Sequence, residues 1–196
     1  MITITTETAA LLQQIDPSWT LFLDRDGVIN KDVVDDYVKS VDEFVFNAGA
    51  CEAIALLNRF FGRIIVVSNQ RGVGKGLMSH EELQQINDYM LSTIQTTGGH
   101  IDAVYYCTAV DNADSNRKPS TGMALQAKTA FPEIEFSKSV VAGNMPGDMQ
   151  FGRNIGAVTI YLPTRPQEKT APGTVDATFK DLLAFAHFLE ARGKTQ

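Results

Sequence analysis

The sequence predicts an α/β protein with a mostly parallel central sheet and helices on both faces, a three-layer, Rossmann-like build. Short apolar runs rich in β-branched and aromatic residues recur along the chain. Helical patterns separate them, and such alternation marks βα units wound into a parallel sheet. The runs show little polar alternation, as expected of strands covered on both faces.

The elements follow in order. Glu7 to Ile15 reads as a short helix and Trp19 to Leu23 as the first strand. Ala48 to Phe61 is helical, with Ile54, Leu57 and Phe61 on one side, and Arg63 to Val67 (RIIVV) is the second strand. SHEE at 79–82 is a capping box: the Ser79 hydroxyl serves the third helical N–H and Glu82 reaches back. That helix runs to about Thr96, with Leu83, Ile86, Met90 and Ile94 as its buried stripe. Ile101 to Cys107, Ser139 to Ala142 and Ala157 to Leu162 are the remaining strands. Thr121 to Phe131 and Asp148 to Ile155 are shorter helices. Asp181 to Ala191 closes the chain with Leu182, Phe185 and Leu189 inward. Residues 163–175 (PTRPQEKTAPGTV) are Pro-rich and polar and read as a surface loop. With no internal repeat or low-complexity linker, residues 1–196 read as one domain.

Composition narrows the classes. Apolar residues make up 44% and charged residues 20%, ordinary for a globular chain. Seventeen basic against 23 acidic residues leave a net charge of −6, which argues against a broad nucleic-acid-binding face. No apolar stretch is long enough to span a bilayer. The N-terminus lacks the basic start and apolar core of a signal peptide. Two cysteines, Cys51 and Cys107, make no disulfide framework. The expectation is a cytoplasmic protein, monomeric by default, without a membrane partner.

In doubly wound sheets a ligand sits beyond the carboxyl ends of the strands. The unusual polar residues gather there. The first strand ends in Asp24-Arg25-Asp26-Gly27, the second in Ser68-Asn69-Gln70 followed by RGVGKG. Arg117-Lys118-Pro119 follows the third after a polar loop, and the fourth ends in Gly143-Asn144 with Asp148 four positions on. Asp24 and Asp26 are alternate positions, so both side chains leave one face. Like charges that close need something positive between them. Carboxylates, a hydroxyl and a lysine around a hard cation are an inventory for phosphoryl transfer to a carboxylate. In that reading Asp24 attacks phosphorus, and Mg²⁺ offsets the carboxylate repulsion. Asp26 moves a proton, for which a raised pKa beside Asp24 is expected. Ser68 holds phosphate oxygens, and Lys118 opposes developing negative charge. Each element alone is weak, since DxDG is common in loops and Ser68-Asn69 can cap a turn. RGVGKG looks like a nucleotide P-loop, but GxxxxGK[ST] is absent. It reads as a flexible substrate-side loop.

At these residues the chain resembles the haloacid dehalogenase-like (HAD) phosphatase superfamily over about Thr20 to Leu162. LFLDRDGVIN matches its first motif, VVSNQ its second, RKP its third and AGNMPGDM a degraded fourth. DYV at 36–38, SNQRGVGKG, YYC at 105–107 and RKPSTGM are similar to the branch holding heptose-bisphosphate and histidinol-phosphate phosphatases. The resemblance implies a minimal cap over the 30–46 segment and motif strands in the order 5-4-1-2-3. It implies a Mg²⁺-dependent hydrolase of a small phosphomonoester in carbohydrate metabolism, a sugar phosphate or bisphosphate first. It gives Asp24 as nucleophile and Asp26 as acid/base, with the Asp26 carbonyl also on the metal. Ser68 and Lys118 become phosphate ligands, and Asn69 and Arg117 phosphate or substrate contacts. Asn144 and Asp148 complete the metal site.

Three departures from that branch stand out. Of a zinc loop of four cysteine and histidine ligands only Cys107 remains, in a loop shortened to TAVDNADSN, so no zinc is expected. That loop's Asp111 and Asp114 are expected to be solvated. Asn144 stands where the family has a metal-binding Asp, bringing an amide oxygen without charge. Met145 stands where a lysine is common. Two alternatives stand beside this reading: a polynucleotide-type 3′-phosphatase, which the SNQ and RKPSTGM stretches also resemble, and a catalytically weakened binding or regulatory protein, on the strength of Asn144 and Met145.

Other residues have plainer readings. His80 and His100 read as surface, and His187 as part of the packed last helix. Cys51 reads as buried on its helix stripe, and Trp19 as packing. Tyr37 and Lys39 line a substrate entrance or a surface turn. Arg71 and Lys75 meet a distal anionic group or remain solvated.

Overall fold

The computed structural model describes residues 2–164 and 168–192. In chain order its elements are β1 (Thr3–Ile4), α1 (Thr6–Leu12), β2 (Thr20–Leu23), α2 (Ala50–Leu57), β3 (Arg63–Asn69), α3 (Arg71–Gly74) and α4 (His80–Thr96). There follow β4 (Ala103–Cys107), α5 (Gly122–Ala130), β5 (Ser139–Gly143), α6 (Pro146–Ile155), β6 (Val158–Tyr161), β7 (Ala177–Thr178) and α7 (Leu182–Arg192). The sheet order is β1-β7-β6-β5-β2-β3-β4. All pairs from β7 to β4 are parallel, and β1 closes one edge antiparallel. The five motif strands therefore stand in the expected 5-4-1-2-3 order.

The pleat sorts side chains into two cores. Leu21 and Leu23 of β2, Ile64 and Val66 of β3, and Val140 and Ala142 of β5 meet α1, α2, α4 and α7. Phe22, Ile65, Val67 and Val141 point the other way, onto Met123 and Ala127 of α5 and Phe151 of α6. Adjacent strand residues face opposite sides, so Leu21–Leu23 of β2 and Ile64–Val67 of β3 are all apolar and serve two layers. Burial of each such Leu, Ile or Phe contributes roughly 1.5–3 kcal/mol. Asn144 and Asp148, just beyond β5, share the carboxyl edge with Asp24 and Ser68 because β5 pairs with β2, and β2 with β3.

Several boundaries differ from expectation. β3 runs on to Asn69, because Ser68 and Asn69 pair with Tyr106 and Cys107 of β4. α2 stops at Leu57, with turns carrying the chain to Phe61. α6 begins earlier, at Pro146, where a missing N–H costs nothing. Arg71–Gly74 is a helical turn rather than a flexible loop, with Gly72 buried. The two-residue strands β1 and β7 were too short to show a period. The predicted Ser79–Glu82 capping box is present, with bonds of 2.7 and 3.0 Å. Part of the predicted loop at 163–175, namely 165–167, lies outside the described residues; 168–175 carries no helix or strand. His187 on α7 is exposed, and Cys51 is half-buried rather than buried. No described helix is long and apolar enough to cross a membrane.

Candidate active site

Asp24 follows β2 directly, its N–H continuing the ladder to Ala142 O at 3.0 Å. Its Oδ1 accepts from Arg25 N at 2.8 Å and from Lys118 Nζ at 2.9 Å. The same ammonium reaches Asp148 Oδ1 at 2.7 Å and the Val67 carbonyl at 2.7 Å, so its three donors have three partners. Lys118 comes from the loop after β4, and Asn69 grips its backbone. Asn69 Oδ1 accepts from Lys118 N at 3.0 Å, and Nδ2 donates to Lys118 O at 3.1 Å. Asp148 sits in the first turn of α6, where its Oδ2 accepts from Met145 N at 3.0 Å. Gly143 makes that approach possible: a Cβ there would stand 2.3 Å from Asp148 Cβ.

Burial first, then the Asp148 charge, pushes the Asp24 carboxyl up to about 7 against the opposing pull of Lys118. Burial opposes the Lys118 charge, but Asp148 and Asp24 outweigh it and hold the ammonium above its usual value. The raised carboxyl is thus Asp24, and the expectation of a raised Asp26 is corrected. Burial acts to raise Asp26 too, yet the Arg25 guanidinium and hydrogen bonds from Asn30, Arg25 and Gln70 hold it below the usual carboxylate range. Arg25 Nη2 lies 3.0 Å from both Asp26 oxygens, Asn30 Nδ2 donates at 2.9 Å and Gln70 Nε2 at 2.6 Å. The two carboxylates are separated electrostatically, each with its own cation.

Behind Asp26 lies a polar network that the sequence reading missed. Arg25 is 1% exposed, the largest fully buried side chain. It bonds Gln70 Oε1 at 3.1 Å and Asn87 Oδ1 at 3.3 Å. Gln70 Nε2 also donates to Ser68 Oγ at 2.8 Å, linking the acid/base candidate to the phosphate-binding candidate. One signal was legible: Asn87 interrupts the apolar stripe of α4, next to Ile86.

The donor set fits a hard cation, which takes carboxylate, carbonyl and amide oxygens. Asn144 is 1% exposed, and its Nδ2 donates to Thr164 Oγ1 at 2.7 Å. Its Oδ1 is buried without a hydrogen-bond partner. A buried acceptor left so is costly, and a cation would satisfy it. Gly27 makes room: at φ +85°, a Cβ would fall 1.9 Å from Asn144 Nδ2. Asn144 Oδ1, with the Asp24 carboxylate on the same cavity, could hold such a cation. Asp148 has both oxygens engaged elsewhere, on Lys118 and Met145 N.

A cavity of about 600 Å³ opens over these groups. Asp24, Ser68, Lys118 and Asn144 line it, as do Asn69 and Arg117. All eight sequence candidates, Asp24, Asp26, Ser68, Asn69, Arg117, Lys118, Asn144 and Asp148, border this one cavity. The Asn69 amide is committed to the Lys118 backbone, which makes it a holder of the lysine loop. Tyr37 and Arg71 also line the cavity, whereas Lys39 pairs with Asp36 at 2.7 Å. In the loop after β4, Asp114 is half-buried rather than solvated, accepting from Asn116 N at 2.8 Å and Cys107 Sγ at 3.6 Å.

The chain is similar to known proteins over most of its length. The polynucleotide kinase 3 phosphatase family model matches residues 21–180. A D-glycero-alpha-D-manno-heptose-1,7-bisphosphate 7-phosphatase of Mycobacterium tuberculosis is 34% identical over 170 residues, 86% of this chain and 90% of that one. One from Burkholderia mallei is 36% identical over 182 residues, covering 84% and 92%. The crystal structure of D,D-heptose 1,7-bisphosphate phosphatase from B. bronchiseptica, complexed with magnesium and phosphate, superposes with a TM-score of 0.78. It is 29% identical and covers 88% of this chain and 98% of that one.

Proposed function

The chain belongs to the HAD phosphatases, in the branch of the heptose-bisphosphate phosphatases and within the polynucleotide kinase 3 phosphatase family, and is a phosphoric monoester hydrolase; from that premise we propose that it removes one phosphate from a sugar bisphosphate through an aspartyl-phosphate on Asp24. The observation that carries this is the buried Asp24–Lys118–Asp148 cluster at the carboxyl ends of β2 and β5, with Ser68 beside it on β3. Residues 1–196 act as one domain whose cap is reduced to the 30–46 segment, so the cavity stays open to a small substrate.

In the first half-reaction an Asp24 carboxylate oxygen bonds phosphorus as the ester P–O bond breaks. The departing alkoxide takes a proton from Asp26. In the second, Asp26 takes a proton from water, the water oxygen bonds phosphorus, and the bond to Asp24 breaks, releasing inorganic phosphate. Asp26 must be protonated at the start, and entry of an anionic phosphate beside it favours that form. Lys118 supplies fixed positive charge to the phosphoryl oxygens and Ser68 a hydroxyl donor. Mg²⁺ on Asp24, the Asp26 carbonyl and Asn144 would supply Lewis-acid neutralisation of those oxygens.

The test is phosphate release from heptose 1,7-bisphosphate with Mg²⁺, then acid quenching and peptide mass spectrometry. A phosphoryl adduct on the Asp24 peptide is expected, and no turnover by Asp24→Asn. Turnover without an adduct, or by the Asn variant, would overturn the mechanism.

The family description favours a second reading, hydrolysis of a 3′-phosphate on a nucleic-acid end. The net charge of −6 and the acidic rim residues Asp32, Asp35 and Asp36 weigh against it. Phosphate binding by cationic surfaces makes nucleic-acid affinity fall steeply with salt. Activity on a 3′-phosphorylated oligonucleotide that exceeds the sugar activity and collapses between 50 and 200 mM salt would establish it.

A further inference from the structure

An arginine side chain donates hydrogen bonds and never accepts them, so Arg25 fixes the direction of every bond around it. Its Nη2 lies 3.1 Å from one end of the Gln70 amide, and that end must be the oxygen. The other end, Nε2, then lies 2.6 Å from Asp26 Oδ2 and 2.8 Å from Ser68 Oγ. Turning the amide over would set a donor against Arg25 Nη2 and an oxygen against the Asp26 carboxylate, and both contacts would repel. The deeper end follows the same logic. Arg25 Nη1 meets Asn87 at 3.3 Å, so Asn87 presents its oxygen there. Arg25, Gln70 and Asn87 are 1%, 1% and 3% exposed, so water competes little for these bonds.

The Gln70 amide carries two N–H groups. One serves Asp26 and the other Ser68. Ser68 Oγ is thereby an acceptor on its inner side. A hydroxyl also has one proton to donate, and Gln70 Nε2 cannot take it. Among the described residues the bond from Gln70 is the only one that Ser68 Oγ makes. Ser68 is buried, yet it lines the cavity beside Asp24 and Lys118. A buried donor left unpaired is costly, and a ligand in the cavity can supply the acceptor.

We propose that Gln70 is a positioning residue for phosphate binding, which holds the Ser68 hydroxyl with its proton turned into the cavity for a phosphoryl oxygen. Arg25 and Asn87 hold the Gln70 amide in that sense. A phosphate oxygen is an acceptor, so a hydroxyl already fixed as a donor binds it without first reorienting. The proposal rests on the phosphatase reading, in which Ser68 holds the phosphate, and names the residue that orients it. It also gives a task to Asn87, a buried amide on the packed side of α4.

The experiment measures binding of inorganic phosphate by calorimetry in the presence of Mg²⁺. Wild type, Gln70→Met, Gln70→Glu and Ser68→Ala are compared, with the two double variants that combine Ser68→Ala with either Gln70 change. Gln70→Met keeps the length of the side chain without its donor. Gln70→Glu keeps the shape and the acceptor for Arg25, but its carboxylate takes the Ser68 proton and turns the hydroxyl away from the cavity. Ser68→Ala removes a hydrogen bond to a charged group and should weaken phosphate about tenfold or more. Gln70→Met should weaken it about threefold or more, and Gln70→Glu about tenfold or more. In the Ser68→Ala background the effect of Gln70→Met should shrink to less than about twofold, since its route to the phosphate is gone. Gln70→Glu should keep there only the part due to its added charge.

Equal losses from Gln70→Met with and without the Ser68 hydroxyl would overturn the proposal, because Gln70 would then act through Asp26 or through the fold alone. Should Gln70→Met fail to fold, Gln70→Glu decides: a loss that the Ser68→Ala background shrinks about threefold or more supports the proposal, and equal losses overturn it. Phosphate that wild type does not bind, or that Ser68→Ala binds as well as wild type does, overturns it too. Turnover is read separately, as phosphate release with Mg²⁺. A protein that shows the coupling in binding yet hydrolyses no phosphomonoester would sink the proposed mechanism and leave the Gln70 assignment standing. Turnover through an Asp24 adduct with additive losses in binding would do the reverse.

Discussion

Replacing Lys118 by Met removes one cation from between two buried carboxylates. The lysine side chain is 3% exposed and its partners Asp24 and Asp148 are 10% and 3% exposed, so solvent screening is slight. At 2.9 and 2.7 Å and an effective dielectric near 20, each contact is worth roughly 6 kcal/mol of gross Coulomb energy. Desolvation of the ammonium offsets much of that. Breaking a buried pair by deleting one partner costs about 3–5 kcal/mol net. The pH dependence carries the sharper signature. In the wild type Asp24 is raised above its unfolded value, so the stability it contributes is fully present below about pH 4 and lost as pH rises to about 7. Without Lys118 the Asp24 carboxyl rises further, and the loss continues into alkaline solution. Between pH 7 and 8.5 the variant should lose up to about 1.4 kcal/mol per pH unit relative to wild type. Urea unfolding across that range measures it, and hydrolysis should fall at least 100-fold through lost charge stabilisation. Parallel stability profiles for the two proteins, or a cost below about 1 kcal/mol at pH 8, would refute the account of Lys118 as the shared counterion.

Asn144→Asp should lower the Mg²⁺ concentration for half-maximal activity about tenfold, because a carboxylate brings charge where the amide brings none; an unchanged Mg²⁺ titration would remove Asn144 from the metal site. Arg25→Lys loses the two-oxygen grip on Asp26. Hydrolysis of an alkyl phosphate should therefore fall about tenfold more than that of p-nitrophenyl phosphate, whose leaving group needs little protonation. Equal losses on both substrates would make Arg25 merely structural. Gly27→Ala places a methyl against Asn144 at a positive φ. It should lower the unfolding free energy by about 1–3 kcal/mol and weaken Mg²⁺ activation together; an unchanged urea midpoint would show that Asn144 swings freely.

The order of strands and helices was legible because period and burial leave marks in the residues themselves. RIIVV, short and rich in β-branched residues without polar alternation, reads as a strand covered on both faces, and SHEE announced its helix by the chemistry of the cap. The eight candidate positions were legible as strand-end punctuation, and all of them border one cavity. Contacts between residues distant in sequence were not legible. Nothing in DRDG reveals that Arg25 turns inward to Gln70 and Asn87, 45 and 62 positions away, and so the direction in which Asp26 is shifted was misjudged. Nor does RGVGKG show that Arg71 meets Arg117 over Asn112. A residue's type and local spacing constrain its backbone, whereas its ionisation depends on which charges share its low-dielectric neighbourhood. Folding sets that neighbourhood by bringing β2, β3, β5 and the loop after β4 to one edge of the sheet.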